Sequence, residues 1–215
     1  MILVPTGEFP YGDNNQCLSL HGFYMDKYEV TTARYAQFLQ ASGREVPSAL
    51  NEILVNDGKR PMNGVNWYEA GAYCRYYGKR LPTEQEWEKA ARGTDGRIYP
   101  WGNEEPTKRH ANFGKCCDWK GYSGTFTVVG SLEAGASRYG IYDMAGNVGH
   151  WTSSDYDSNK KVIRGESWAS DANHLRSTSR SWNGASLRDG YSTVGFRCVQ
   201  DDPLDGGRGQ LGDKP

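Results

Sequence analysis

In the first half of the chain, apolar residues recur at intervals of three and four, a pattern that predicts amphipathic helices. One such pattern covers residues 31–43, where Thr31 or Thr32 can cap the helix. Two more patterns, over 66–78 and 83–93, each begin with a capping box and end at a glycine. We therefore expect three helices that form part of the scaffold.

The pattern of the second half is different. Beyond residue 98, short apolar pieces at 126–129, 141–142 and 161–164 are separated by Gly, Asn, Asp and Ser. Together with the strand-like segment 27–30, they predict short strands joined by long loops. The expected fold class is α+β, loop-rich, with few short strands and two to three helices. Long loops in a compact domain need metal ions or internal hydrogen bonds to hold them.

Length and composition favour one domain over residues 1–200. The chain has 215 residues, of which 13% are aromatic, enough bulky side chains for one sizeable core. From 201 to 215, glycine, proline and charged residues replace apolar ones, which predicts a flexible tail.

Charge and hydropathy bear on the partners. The formal net charge is −1 and basic residues are scattered, so we expect no nucleic-acid partner. No apolar stretch approaches the roughly 20 residues that span a bilayer, and the apolar start at 1–5 is too short for a signal-peptide core. We expect a soluble chain, as given, with no signal peptide and no membrane insertion, and the compartment stays open.

Cysteine and histidine spacing indicates no metal or catalytic motif. The five cysteines form neither a CxxC pair nor a zinc-ligand spacing. The adjacent Cys116 and Cys117 can be a redox pair, although two loop cysteines are the simpler interpretation. His21, His110 and His174 are isolated in sequence, where a structural or surface role is more common than catalysis.

Several short segments occur in an order that forms a recognisable set of motifs. They are GEF at 7–9, YEVT at 28–31, PMNGVNW at 61–67, GKRLPTEQEWE at 78–88, YPWG at 99–102, YGIYDMAGNV at 139–148 and VGFR at 194–197. Together they resemble the family of the formylglycine-generating sulfatase-modifying factor. The resemblance covers nearly all of residues 1–198 and implies an α+β C-type lectin-like fold.

The resemblance does not extend to the catalytic residues. Enzymes of this family oxidise a substrate cysteine with a cysteine pair that follows a Gly-Gly-Ser-aromatic segment, which here is 165–168. This chain has no cysteine between Trp168 and Cys198. Because a thiolate is both metal ligand and redox group in that chemistry, we expect no family-type enzyme activity. Ser167 is then a hydrogen-bonding element of the fold. The alternative is a divergent oxidoreductase or accessory protein of the family that uses the adjacent cysteine pair.

The resemblance also bears on calcium and on a disulfide. Asn112 matches a family calcium ligand, with only Asp118 as a nearby carboxylate, and His150 stands where a carboxylate commonly helps to hold calcium. An imidazole is a poor substitute, so no cofactor is firmly predicted and calcium binding stays open. Family members commonly pair cysteines at the positions of Cys74 and Cys198, which we expect to be neighbours in space.

The segment 169–193 is the candidate ligand-binding surface. It is dense in small polar residues with a few amphipathic side chains, as in adaptable recognition loops, although plain solvated loops share this composition. The region also resembles the variable segment of diversity-generating retroelement proteins, some of which use the same lectin-like fold. The framework residues that carry this resemblance are Arg164-Gly165, Ser167-Trp168, Leu175-Arg-Ser177, Arg180, Trp182, Arg188 and Gly195-Phe-Arg197.

Codon usage in those retroelements gives a test of composition. They randomise the adenines of Asn codons that end in a pyrimidine, which cannot then encode Lys, Gln, Glu, Met or Trp. These five residue types occur once in 169–197, as Trp182, where their frequency in the whole chain would give about five. The bias has the predicted sign, although loops rich in Ser, Gly and Asn produce part of it anyway.

The leading hypothesis is a non-catalytic receptor-type domain, displayed on a cell or phage surface, that binds a protein or glycan. A purely structural domain fused to other modules is a further alternative. A surface that tolerates substitution cannot share its residues with the core. We therefore expect Trp168, Trp182 and Phe196 to pack beneath it. The residues predicted to point outward on one face and bind ligand are Asp171, Asn173, His174, Ser179, Ser181, Asn183, Leu187, Asp189 and Tyr191.

Overall fold

The structure is a computed structural model that describes residues 1–45, 58–116, 118, 120–181 and 185–205. It confirms the three predicted helices: α1 Thr32–Ala41, α2 Trp67–Tyr76 and α3 Glu84–Arg92. Both predicted capping boxes are formed, and Thr31 caps α1. A shorter helix, α4, covers Gly121–Thr125, and single 3₁₀ turns cover Glu133–Gly135 and Ala172–His174.

The strands of the described residues form three small sheets. One has the order β1-β4-β9, the second is the hairpin β2-β3, and the third has the order β7-β6-β5-β8, in which β8 runs parallel to β5. The strands are β1 Ile2–Val4, β2 Gly7–Tyr11, β3 Gln16–Leu20, β4 Phe23–Met25, β5 Gly149–Asp157, β6 Lys160–Arg164, β7 Ala185–Ser186, β8 Val194–Gly195 and β9 Val199–Asp201.

The sequence was a poorer guide to the strands than to the helices. The piece at 161–164 is confirmed within β6, but the pieces at 27–30, 126–129 and 141–142 are not strands. They are irregular segments that meet through isolated hydrogen bonds; the Tyr142 N–H donates to the Lys27 carbonyl at 3.0 Å, for example. Apolar side chains are therefore buried there without a ladder of backbone pairs.

Two clusters of buried side chains form most of the core. The larger packs α1 and α2 against the start of β5, against β6 and against β8, and the smaller packs α3 against the β1-β4-β9 sheet. The predicted proximity of Cys74 and Cys198 is confirmed: the two are joined by a disulfide, with Cα atoms 5.6 Å apart. A bridge across so long a loop stabilises a fold by about 4 kcal/mol in the chain-entropy model.

The fold continues beyond the expected boundary at residue 200. Strand β9 ends at Asp201, and the Asp202 N–H donates to the Gly22 carbonyl at 3.2 Å. The Asp205 carboxylate accepts the Gly22 N–H at 2.6 Å. Residues 201–205 therefore pack on the domain instead of starting the tail, because acidic side chains there meet backbone donors. The rest of the predicted tail, 206–215, lies outside the described residues.

No helix in the described parts of the chain has the length and apolar character needed to cross a membrane.

Candidate ligand-binding surface

Two arginines anchor the candidate surface to helix α3. The Arg164 guanidinium, 1% exposed, donates to Glu88 at 2.6 Å and to the Ser177 carbonyl at 2.7 Å. Arg180 makes a two-point ion pair with Glu84, at 2.7 and 2.6 Å. Because Glu84 and Glu88 are one helical turn apart, a single face of α3 holds the segment between Ser177 and Arg180 from below.

The edge of strand β6 supports the next part of the surface. Arg164 and Arg180 form an isolated bridge, and the Ser181 N–H donates to the Ile163 carbonyl at 3.1 Å. Further along, β7 pairs antiparallel with the start of β6 at Lys160 and Lys161. The described residues between 180 and 186 therefore follow the edge of the sheet, which fixes their backbone.

Loops from the middle of the chain support the other end of the surface. The Gly114 N–H donates to the Ser170 carbonyl at 2.8 Å, and the Lys115 N–H donates to the Trp168 carbonyl at 2.9 Å. Leu175, 1% exposed, packs into an aromatic cluster with Tyr99, Phe113 and their neighbours. The segment 168–175 is therefore held through its backbone and through two buried apolar side chains, those of Trp168 and Leu175. The side chains of Asp171, Asn173 and His174 between them are exposed.

Glu166 connects the two halves of the surface. It has a positive φ of 56°, an uncommon conformation for a residue other than glycine. Its carboxylate accepts from the Ser170 hydroxyl at 2.9 Å and from the Ser181 hydroxyl at 3.3 Å. The neighbouring Ser167 is buried, and its hydroxyl oxygen accepts the Ala169 N–H at 3.3 Å. Both side chains shape the turn that opens the surface.

We predicted nine contact residues, and the structure describes eight of them. None of these eight is buried. The four exposed ones are Asp171, Asn173, His174 and Asp189, and the four partly exposed ones are Ser179, Ser181, Leu187 and Tyr191. Beneath them, Trp168 and Phe196 are buried. The remaining predicted contact, Asn183, and the remaining predicted core residue, Trp182, lie outside the described residues.

Tyr191 is a positioning residue as well as a partly exposed one. Its ring lies 6.2 Å from the ring of Trp151, and its hydroxyl accepts the Ser186 N–H at 3.2 Å. Next to it, a Cβ added to Gly190 would lie 2.0 Å from the Gly64 carbonyl oxygen, so only glycine fits there. The turn at 186–191 is thus built around close backbone contact that sequence composition did not reveal.

A buried polar cluster lies inside the domain around His150. The His150 ring is fully buried; its Nδ1 accepts from Trp87 Nε1 at 3.1 Å, and its Nε2 lies 3.4 Å from both Glu29 and Arg197. Burial, and then the charge of Arg197, lowers the pKa of His150 well below its usual value. Burial raises the pKa of Glu29, with Asp143 adding to the effect. The polar side chains of this cluster therefore contact one another inside the domain.

Calcium does not fit the residues around His150. The Asn147 side-chain oxygen already accepts from Asn112 Nδ2 at 3.0 Å and from the Thr127 N–H at 3.1 Å. The buried Arg197 guanidinium already brings a positive charge to this cluster, 3.4 Å from His150 Nε2, and this charge acts against the rise in the pKa of Glu29 and Asp143. Among the residues that the structure describes, no three His, Cys, Asp or Glu side chains are placed to hold a metal ion.

The other residues considered for chemistry are dispersed. His110 stacks on Trp101 with ring centroids 4.8 Å apart, a structural contact, whereas the His21 side chain is 86% exposed. Cys116 is exposed, and its neighbour Cys117 lies outside the described residues. The functional residues that sequence reasoning missed are Glu84, Glu88 and Glu166. The first two stand four residues apart on one face of α3, a spacing that could have identified them.

Comparison with known proteins agrees with this architecture. The family described as the sulfatase-modifying factor enzyme 1-like domain matches residues 1–202. Serine/threonine-protein kinase Pkn1 of Chlamydia trachomatis is 32% identical over 94% of this chain and 38% of its own length. Inactive C-alpha-formylglycine-generating enzyme 2 of Bos taurus is 41% identical over 65% of this chain and 50% of its own length. The chain thus spans half or less of the length of these relatives.

Solved structures give the same fold. Treponema denticola variable protein 1 superposes with a TM-score of 0.72 at 22% identity, covering 94% of this chain and 95% of that one. The U1 variant of the Major Tropism Determinant has a TM-score of 0.54 at 14% identity, covering 90% of this chain and 55% of that one. The expected C-type lectin-like α+β fold is confirmed.

The family match, the relatives and the ordered motifs agree over nearly the whole chain. The chain belongs to the family of sulfatase-modifying factor enzyme 1-like domains.

Proposed function

We propose that this chain is a non-catalytic, receptor-type domain that binds a protein or glycan through the 169–193 surface. One observation carries the proposal: four framework residues are buried, whereas none of the eight described contact residues is. Arg164, Trp168, Leu175 and Ser177 are buried and hold the segment, whereas the eight described contact positions keep some or all of their side chains in solvent. A surface arranged in this way can change its contacts without changing its core.

The proposal includes a diversified surface of the retroelement type. Its support is the fold shared with retroelement variable proteins, the near absence of five residue types from 169–197, and the recognisable framework. The framework positions Arg164, Arg180 and Arg197 make ion pairs or hydrogen bonds to groups far away in sequence. Substitution at these three positions would break the support for the surface.

Sequencing the same locus in several isolates tests the proposal. We expect substitutions to concentrate at Asp171, Asn173, His174, Ser179 and Asp189 and to spare the three framework arginines. A neighbouring reverse transcriptase gene and an imperfect repeat of codons 169–197 would accompany them. If substitutions were spread evenly over the whole chain, and neither the reverse transcriptase gene nor the codon repeat were present, the retroelement hypothesis would have no support.

Family membership leaves catalysis open, because the family is described by an enzyme while one relative is named inactive. The absence of any cysteine between Trp168 and Cys198 favours a protein without the family oxidation. Ser167 fits the same interpretation, because its hydroxyl is buried and engaged with the backbone of the turn. The proposed function therefore uses the fold as a scaffold for binding.

A further inference from the structure

A group of backbone carbonyl oxygens faces positive side chains in the loop that supports the surface. The Lys108 ammonium donates to the Phe113 carbonyl. The Lys115 ammonium donates to the Thr125 carbonyl at 3.0 Å and lies 3.4 Å from the Gly124 carbonyl. Lysine side chains therefore contact three carbonyl oxygens from two separate stretches of the chain.

The same oxygens are of the kind that calcium uses. Calcium takes six to eight oxygen ligands, many of them backbone and Asn carbonyls, in flexible loops. Here Asn112, the residue matching a family calcium ligand, points its amide nitrogen at the Thr125 carbonyl, at 2.9 Å. An ammonium group carries three donors and no acceptor, so it satisfies inward-facing carbonyls as a small cation does.

The surroundings disfavour an additional cation. Arg60 donates to the next carbonyl along, that of Phe126. Burial, followed by the charges of Lys108, Lys120 and Arg60, lowers the pKa of Lys115. The described carboxylate of this loop, Asp118, lies 3.1 Å from Lys120. A divalent ion placed here would be repelled by these lysine and arginine side chains, and the loop has little carboxylate charge to offset the repulsion.

We infer that the ammonium groups of Lys108 and Lys115 take the place of a metal ion in closing the 108–126 loop. The loop holds the 168–170 end of the surface through two backbone hydrogen bonds, so this support is independent of calcium. The inference goes beyond the proposed function and stands without it, because it concerns how the loop is held.

The first test compares thermal melting of the unaltered protein in millimolar calcium chloride and in EGTA. We expect the two melting temperatures to agree within about 1 °C. Calorimetric titration with calcium chloride alone should give no saturable heat. A higher melting temperature in calcium, or a saturable binding isotherm, would overturn the inference.

The second test removes each ammonium while keeping the stem, in EGTA. Lys108→Met removes the lysine donor to the Phe113 carbonyl, and Lys115→Met leaves the Thr125 carbonyl with one described donor, Asn112, instead of two. We therefore expect melting temperatures about 3 to 6 °C lower. Lys115→Arg, which keeps the charge, should recover most of the loss. The matched control is Lys120→Met in the same loop, where the side chain is 67% exposed and pairs with the exposed Asp118.

The control should change the melting temperature by about 1 °C or less. If Lys108→Met and Lys115→Met melt like the control, the ammonium groups do not hold the loop and the inference fails. If Lys115→Met does not fold, Lys108→Met against the control still tests the ammonium groups, and the calcium and EGTA comparison on the unaltered protein still tests the metal ion.

Discussion

His150 shows how one buried residue couples this fold to pH. The ring is neutral in the folded protein, because burial and the charge of Arg197 lower its pKa well below the ordinary value of 6.5. In the unfolded chain the same ring takes up a proton near that pH. Below pH 6.5 the unfolded state binds more protons, so the contribution of His150 to stability is present above this pH and lost as the pH falls.

We predict that the free energy of unfolding decreases between pH 6.5 and pH 5, by up to about 1.4 kcal/mol per pH unit from this residue. Urea unfolding of the unaltered protein and of His150→Gln over this range measures the effect. The variant should be less stable at pH 7 but show the flatter dependence. Glu29, whose pKa is raised by burial, acts in the opposite sense and is present in both proteins. Equal slopes would contradict the assignment.

At the residue scale, the chain lacks the cysteine pair that family enzymes use for their oxidation. Ser167 stands in the segment that precedes the catalytic pair of family enzymes, and no thiol follows it before Cys198. We predict that incubation with copper, oxygen and a cysteine-containing sulfatase peptide produces no formylglycine. Mass spectrometry of the peptide measures the aldehyde, with heat-killed protein as the control. Aldehyde above that control would show that the chain is an enzyme after all.

Among the elements, helix α3 does the most to position the surface. Glu88 is fully buried between Arg164, at 2.6 Å, and Arg92, at 3.4 Å. Glu84, at the first residue of the helix, pairs with the half-exposed Arg180. One helical face thus neutralises two arginines that carry the backbone of 177–180. Removal of one partner of a buried ion pair costs far more than removal from an exposed pair.

We therefore predict a graded effect of neutral substitutions on this helix. Glu88→Gln leaves Arg92 without its buried counter-charge and leaves Arg164 with only its longer contact to Glu84, at 3.4 Å, so it should cost about 3 to 5 kcal/mol. Glu84→Gln should cost less, because Arg180 is 47% exposed and Arg164 keeps Glu88. Thermal or chemical unfolding of the two variants gives the comparison. A larger loss of stability for Glu84→Gln than for Glu88→Gln would contradict this prediction, because Glu84 would then be the main support of the segment.

The elements also show what the sequence could and could not predict. The helices were predictable because capping boxes at Asn66 and Thr83 are local signals, complete within four residues. Glu84 and Glu88 were assigned only to a helix, since the surface arginines that they hold, Arg180 and Arg164, lie 96 and 76 residues away. The segments at 27–30 and 141–142 were assigned to strands because burial and pairing give the same apolar pattern. Only the structure shows that these segments meet through isolated hydrogen bonds and form no strand.

For the whole molecule, the disulfide and the sheets enclose a core against which Tyr191 of the candidate surface packs, while the exposed contact residues lie outside that core. Cys74 and Cys198 join α2 to the start of β9, and Phe196 packs beside them in the larger cluster. The 171–174 turn depends on the aromatic cluster around Leu175, and the 186–191 turn depends on Gly64 and Trp151. The two turns of the segment 169–193 thus depend on two different parts of the core. Composition alone could not predict the shape of the segment, because these contacts come from residues far away in sequence.

This separation leads to the prediction on which the receptor proposal depends. Replacing the four exposed contact residues together by Ala should leave the melting temperature within about 2 to 3 °C of the unaltered protein, since their side chains have little burial to lose. The quadruple variant changes Asp171, Asn173, His174 and Asp189.

The same quadruple variant should lose binding. Glycan arrays and capture from cell lysates, followed by mass spectrometry, would be run with both proteins, and ligands held by the unaltered protein should be missing from the variant. Tyr191→Phe is the matched single change, because it removes the hydroxyl that accepts the Ser186 N–H and keeps the ring. It should lower the melting temperature by weakening the 186–191 turn, while the area available for ligand contact stays nearly the same. If the quadruple variant unfolds, or retains every captured ligand, the exposed positions are ordinary parts of the fold and binding does not take place through them.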